Sequence, residues 1–303
     1  MKKYLPELGL GLVAIIWGTG FIGSQLCLNG GFTPLQILTI RFFVAAILLN
    51  IIFYKNLKSN ADKHSIKAGV ILGTILFIAF EFQTVGLSFT TPSKNAFITA
   101  ANVVIVPFIG YLIYKRKIDN WGIISSIVAL VGIGILSLQK DLSINRGDFL
   151  TFISAVGFAF HIFYTSEFAK KYNPFVLTSV QFSIAFFLSF IVQVISNQMT
   201  ISVDSSAYIG AIYLGLFSTT LCFLLQTICQ RKTSETKTAI ILSTESVFGT
   251  IFSIIIFKEI ITIKLIIGCV MIFIAIIISE TKLSFLFKKD KEVIEEDENI
   301  TLG

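Results

Sequence analysis

The sequence predicts an all-α membrane protein with ten transmembrane helices arranged as two inverted five-helix repeats. Three observations carry that prediction. Apolar runs of membrane-spanning length recur along nearly the whole chain. Basic residues crowd alternate loops. The two halves of the chain also resemble each other at a nearly constant offset.

The composition fits no ordinary soluble domain. Of 303 residues, 54% are hydrophobic and only 14% charged, and mean hydropathy is +0.84. So little charged surface would not keep a water-soluble fold in solution. The apolar segments fall at 6–27, 33–54, 66–88, 92–114, 118–138, 148–168, 174–195, 207–229, 236–257 and 262–281.

The first run follows Met1-Lys2-Lys3 and superficially looks like a signal peptide. Glu7 interrupts its start, and it continues past Trp17 to Cys27, the length of a full span, so it reads as a retained helix. Trp17 lies deep in this span beside Gly18 and Gly20, where an aromatic ring can wall a cavity and glycines let backbones approach. The second span opens at Thr33-Pro34, a capping hydroxyl followed by Pro at the first helical position. It carries Arg41 about eight residues from its outer end.

The third span carries Glu81 at a similar depth, roughly 10–12 Å at about 1.5 Å rise per residue. A structural ion pair between Arg41 and Glu81 is therefore expected, because a buried Arg without a partner is very unfavourable. Thr74, Glu81, Thr84 and Ser88 share one face, expected to point into the bundle, and Gln83 points roughly the other way. The fourth span opens at Thr91-Pro92 and holds Asn102 near its middle, on a face with Asn95 and Thr99.

In the sixth span His161 shares a face with Ser154 and Thr165. It reads as a hydrogen-bonded packing residue first and a proton relay second. The seventh opens at Asn173-Pro174. Gln226 in the eighth shares a face with Thr219, Cys222 and Gln230. Glu245 sits near the middle of the ninth, with Thr238 and Gly249. After the tenth, residues 284–303 turn abruptly charged and read as a solvated cytoplasmic tail.

With the N-terminus inside the cell, eighteen of the 24 Lys and Arg residues fall on the cytoplasmic side and five on the other, with Arg41 inside a span. That asymmetry predicts an even number of spans and cytoplasmic termini. The +6 net charge is thus a topology signal and implies no nucleic-acid partner.

At an offset of 140, Pro34 meets Pro174, Phe42 meets Phe182 and Ala45 meets Ala185. At 143, Gln83-Thr84 meets Gln226-Thr227, Lys94 meets Lys237, and Lys115 meets Lys258. The expected units are 1–140 and 141–283, followed by the tail. Five spans per unit force opposite membrane orientations. Transporters commonly place their substrate site where such repeats meet near the midplane. Asn102 and Glu245 are partners at offset 143, and polar groups at equivalent midplane positions suit a shared central site. The candidate substrate-binding residues are Trp17, Glu81, Asn102, His161, Gln226 and Glu245. Glu245 and Glu81 could neutralise a substrate ammonium or carry a proton.

Other classes fare worse. Cys27, Cys222, Cys229 and Cys269 show no CxxC spacing, and His64 and His161 alone rule out a multi-His metal site within one chain. No GxSxG, HExxH or P-loop is present, so neither an intramembrane enzyme nor an ATP-driven pump is expected, and no cofactor. No filter-like ring points to a channel.

Several motifs resemble one family. Ala14-Ile15-Ile16-Trp17-Gly18 and Arg41-Phe42 are similar to elements of the EamA branch of the drug/metabolite transporter superfamily. So are the Thr91–Ala96 entry to the fourth span with Pro107, and Phe257-Lys258-Glu259. The resemblance covers about residues 5–282. It implies ten spans in two inverted repeats and alternating-access transport. Commonly this is export of amino acids or other metabolites across a bacterial plasma membrane. A nucleotide-sugar or other organic-solute carrier of the same superfamily is the alternative. It would want basic residues for phosphate, whereas the central charge here is Glu245. Two departures stand out. The fourth span ends Tyr114-Lys115-Arg116-Lys117 without an acidic residue, and Gly157-Phe158 replaces the Trp17-Gly18 pair in the second half.

Overall fold

The computed structural model describes residues 4–115, 120–137, 144–199, 203–233 and 235–281. The charged tail, Arg116 and Lys117 lie outside these residues. The described chain is helical and contains no strand. Eight helices are long and apolar enough to cross a membrane, and two shorter apolar ones, Asn120–Leu136 and Ile263–Ile278, fall at the fifth and tenth expected positions.

The first half comprises α1 (Leu5–Asn29), α2 (Pro34–Ile52), the short α3 (Tyr54–Asn60), α4 (Lys63–Leu87), α5 (Pro92–Ala100), α6 (Asn102–Tyr114) and α7 (Asn120–Ser137). The second comprises α8 (Arg146–Ala169), α9 (Pro174–Ile195), α10 (Ser205–Tyr213), a π-helical segment (Leu214–Leu221), α11 (Cys222–Gln230), α12 (Glu235–Ser243), α13 (Glu245–Phe257) and α14 (Ile263–Thr281). The Thr-Pro and Asn-Pro starts behave as chemistry dictates. Thr33 forms a reciprocal capping box with Gln36, Thr91 accepts from the Lys94 amide, and Asn173 accepts from the Phe175 amide.

The fourth and ninth spans are each interrupted once, at corresponding places. Ala101 (φ −62°, ψ −10°) separates α5 from α6, and Thr244 (φ −64°, ψ −12°) separates α12 from α13. At both points the helical bonds tighten to three-residue spacing, Val104 N–H to Ala101 O at 3.1 Å and Val247 N–H to Thr244 O at 3.1 Å. An offset of 143 carries the starts of α5, α6 and α7 onto those of α12, α13 and α14. Both downstream segments end on a left-handed lysine, Lys115 at φ 55° and Lys258 at φ 52°. Pro107 lies inside α6 without ending it.

The halves interlock. The first helix packs on α10, α11 and α13; α8 packs on α4, α5 and α6; α2 lies along α9; and α7 lies along α14. Small residues make the closest crossings possible. A Cβ on Gly18 would lie 2.6 Å from Phe248 Cβ and 2.9 Å from the Gly249 amide, and one on Gly157 would lie 2.9 Å from Ala79 Cβ. At the centre Phe42, Phe80, Phe158, Phe182 and Phe223 pack together with Trp17 against them. Large apolar side chains such as Ile51, Ile209 and Ile255 are exposed on the outside, as a lipid-facing surface requires.

Candidate functional site

Between the halves lies a cavity with room for about 50 Å³ of water-sized occupants. Its aromatic wall is Trp17, Phe21, Phe80, Phe158 and Phe223. Its polar wall is Arg41, Gln83, Asn102, His161, Gln226 and Glu245. These side chains arrive from seven elements: α1, α2, α4, the interrupted fourth and ninth spans, α8, and the eighth span.

Asn102 and Glu245 are each the first residue after an interruption, at the start of α6 and α13. Each residue is 7% exposed, and among the described residues neither side chain makes a hydrogen bond to protein. Gln226 is 1% exposed, and neither its amide oxygen nor its amide nitrogen has a partner. An unsatisfied buried polar group such as the Gln226 amide is costly unless something polar reaches it. Two neighbours are better satisfied. His161 Nε2 lies 3.1 Å from Gln181 Oε1, and Gln83 donates to Thr99 Oγ1 at 3.1 Å.

The eighth span shapes the opposite wall. Its π-helical turns are widened, as the Thr220 hydroxyl bonding Gly215 O five residues back at 2.7 Å reflects. The Ser218 carbonyl accepts from Trp17 Nε1 at 2.9 Å, which fixes the indole against the cavity. The Ser218 and Thr219 hydroxyls accept from Arg41.

Five of the six residues singled out from sequence, Trp17, Asn102, His161, Gln226 and Glu245, come together on this cavity. Glu81 does not. Phe80 and Gln83 form the face of α4 that lines it, and Glu81, one residue on from Phe80, is turned about 100° away. Of the expected stripe, Thr84 is buried, Thr74 and Glu81 are partly exposed, and Ser88 is exposed. The expected Arg41–Glu81 ion pair is corrected for the same reason. Similar depth puts the two residues level, but the face of α4 toward Arg41 is the ring of Phe80, 4.2 Å from Arg41 Cζ. Glu81 Oε2 has no hydrogen-bond partner.

Sequence reasoning missed an ion pair elsewhere. Lys94 Nζ lies 3.3 Å from Asp148 Oδ2, linking the start of α5 to the start of α8, and Thr90 also donates to this carboxylate. Asn95 donates to Thr151 Oγ1 at 2.7 Å nearby. At the same end Glu259 accepts from Ser93 Oγ at 2.7 Å and from Ser253 Oγ at 2.6 Å, so the Phe257-Lys258-Glu259 element ties the ninth span to the fourth. Together these bonds cross from one half to the other beyond the cavity.

Comparison with known proteins gives this arrangement a family. The model of the EamA-like transporter family matches the chain twice, over residues 6–138 and 145–281. The chain belongs to the EamA-like transporter family. An uncharacterized transporter of Archaeoglobus fulgidus is 31% identical over 92% of this chain and 86% of its own length. Another, of Clostridium kluyveri, is 24% identical over 88% of this chain and 90% of its own. One solved crystal structure shares the fold at a TM-score of 0.66 and 14% identity, covering 91% of this chain and 97% of that one. As an EamA-family protein the chain is a multi-pass membrane transporter.

Proposed function

We propose that this EamA-family protein is a secondary transporter that exports amino acids or related small polar metabolites by alternating access. Its ten spans form two inverted five-helix repeats, 1–140 and 141–283, in a bacterial plasma membrane with both termini and the tail of 284–303 inside. The basic-residue asymmetry, the recurrence of helix bounds at offset 143 and the double family match support that arrangement.

The observation that carries the function is the cavity itself. It is aromatic on one side, it carries Glu245 and Asn102 on the other, and the Gln226 amide beside them is satisfied by no protein group. Trp17, Asn102, His161, Gln226 and Glu245 are the proposed substrate contacts. Glu245, the acidic group of the cavity, is the proposed proton carrier of a coupled cycle. The alternative, a nucleotide-sugar carrier, would need several cations for its phosphates, and this cavity wall carries one, Arg41.

Reconstitution into liposomes tests the proposal, with a panel of amino acids, amines, nucleobases and sugar phosphates, with and without a pH gradient. The reading expects flux of at least one amino acid, faster with the gradient. No flux of any solute removes the transport assignment. Flux indifferent to the gradient removes proton coupling.

A further inference from the structure

Arg41 is 2% exposed and stands in the wall of the cavity. A guanidinium carries five N–H donors. Nε donates to Thr219 Oγ1 at 2.9 Å, and one terminal nitrogen donates to Ser218 Oγ at 3.4 Å. Among the described residues no carboxylate lies within 4.0 Å of it, and its remaining donors have no protein acceptor. A buried Arg is normally tolerated because a carboxylate neutralises it. Here two neutral hydroxyls and the face of Phe80 do the holding instead.

The holding is nonetheless firm. The α2 helix supplies the stem, the π-helical segment supplies both hydroxyls, and α4 supplies the ring 4.2 Å beneath Cζ. Trp17 in turn anchors the π-helical segment through the Ser218 carbonyl. Such a fork, fixed in plane with donors unspent, matches a carboxylate that accepts two parallel hydrogen bonds.

The rest of the cavity completes the match. Its charged side chains are one cation, Arg41, and one acid, Glu245. Gln226 offers a free donor and a free acceptor. A ligand with one carboxylate and one ammonium complements that set. A phosphate monoester, with up to two negative charges, would meet a single cation and be repelled by Glu245. The aromatic wall fits an apolar side chain on the ligand.

We infer that Arg41 is the carboxylate-binding residue of the cavity, and that its ligand is a zwitterionic amino acid with an apolar side chain whose ammonium faces Glu245. This rests on the transporter reading above.

The test uses the full chain in nanodiscs, with binding read by thermal shift and by isothermal titration. The probes are L-leucine and L-phenylalanine, their decarboxylated amines (3-methylbutylamine and phenethylamine) and their deaminated acids (4-methylpentanoate and 3-phenylpropanoate). The amino acids should bind best, and Arg41→Gln should weaken them and the acids roughly tenfold or more, with the amines unchanged. Arg41→Lys keeps the charge and loses the fork, so it should give an intermediate loss. If Arg41→Gln does not fold, Thr219→Val, which removes the Nε acceptor, should still weaken the two carboxylate-bearing classes selectively. Amines binding as tightly as amino acids, with Arg41→Lys and Thr219→Val both neutral, would overturn the assignment. So would the absence of binding by every carboxylate. In either case the liposome panel decides separately whether the protein transports another solute class.

Discussion

Replacing Asp148 by Asn removes the charge that joins the two halves at one end of the bundle while keeping the shape of the side chain. The Asp148 carboxylate is fully buried, Lys94 keeps 28% of its side chain exposed, and they lie 3.3 Å apart. At an effective dielectric of about 20, Coulomb attraction at that distance is about 5 kcal/mol, most of it offset by desolvation of the carboxylate. The exposed stem lets Lys94 swing toward water once the carboxylate is gone, which lowers the loss further. The net cost of Asp148→Asn should therefore be about 1–3 kcal/mol. Reversible unfolding in mixed detergent measures it, and a cycle with Lys94→Met isolates the pair. A coupling energy of about 1 kcal/mol or more is expected, whereas single effects that add within about 0.5 kcal/mol would refute the pairing. Asp148→Asn should also raise labelling of a cysteine placed at Asn102 by an impermeant thiol reagent, from one face of the membrane only.

Three further outcomes follow from the same contacts. Arg41→Gln and Glu81→Gln should be additive in stability within about 0.5 kcal/mol, because the two side chains do not pair; strong coupling would restore the ion pair. Trp17→Phe should cost about 1 kcal/mol by stripping the indole donor from the Ser218 carbonyl, a loss visible as a lowered melting temperature. Gly18→Ala should cost about 1–3 kcal/mol in the same assay, since its Cβ would meet Phe248 Cβ and the Gly249 amide below 3 Å and backbone atoms cannot swing aside; an unchanged melting temperature would show that α1 and α13 are not in contact there.

Much of this was legible in the sequence because bilayers impose strict rules. Helix positions follow from apolar length, and starts such as Pro34, Pro92 and Pro174 follow from capping chemistry. Asn102, His161, Gln226 and Glu245 announced themselves because polar groups at that depth need a reason to be there. Glu81 was misplaced because depth along a helix is readable from residue count, whereas the face turned inward depends on the neighbour. The neighbour here chose Phe80 and Gln83. The interruptions at Ala101 and Thr244 carry no Gly or Pro to mark them; only the pairing of Asn102 with Glu245 at offset 143 pointed to that level. The π-helical segment is equally silent, since Leu214–Leu221 has an unremarkable helical composition. The Lys94–Asp148 bridge depends on bringing residues from different halves together, which no local pattern encodes.

The central claim is that a solute crosses the membrane through the cavity between the halves, with Glu245 as its acidic contact. Counterflow of labelled L-leucine or L-phenylalanine into liposomes preloaded with the unlabelled compound measures this with the wild-type chain, Glu245→Gln and Gln226→Ala side by side. The account predicts counterflow by the wild type and at least a tenfold loss in Glu245→Gln, with folded protein in every sample. Wild-type rates in both variants would contradict it.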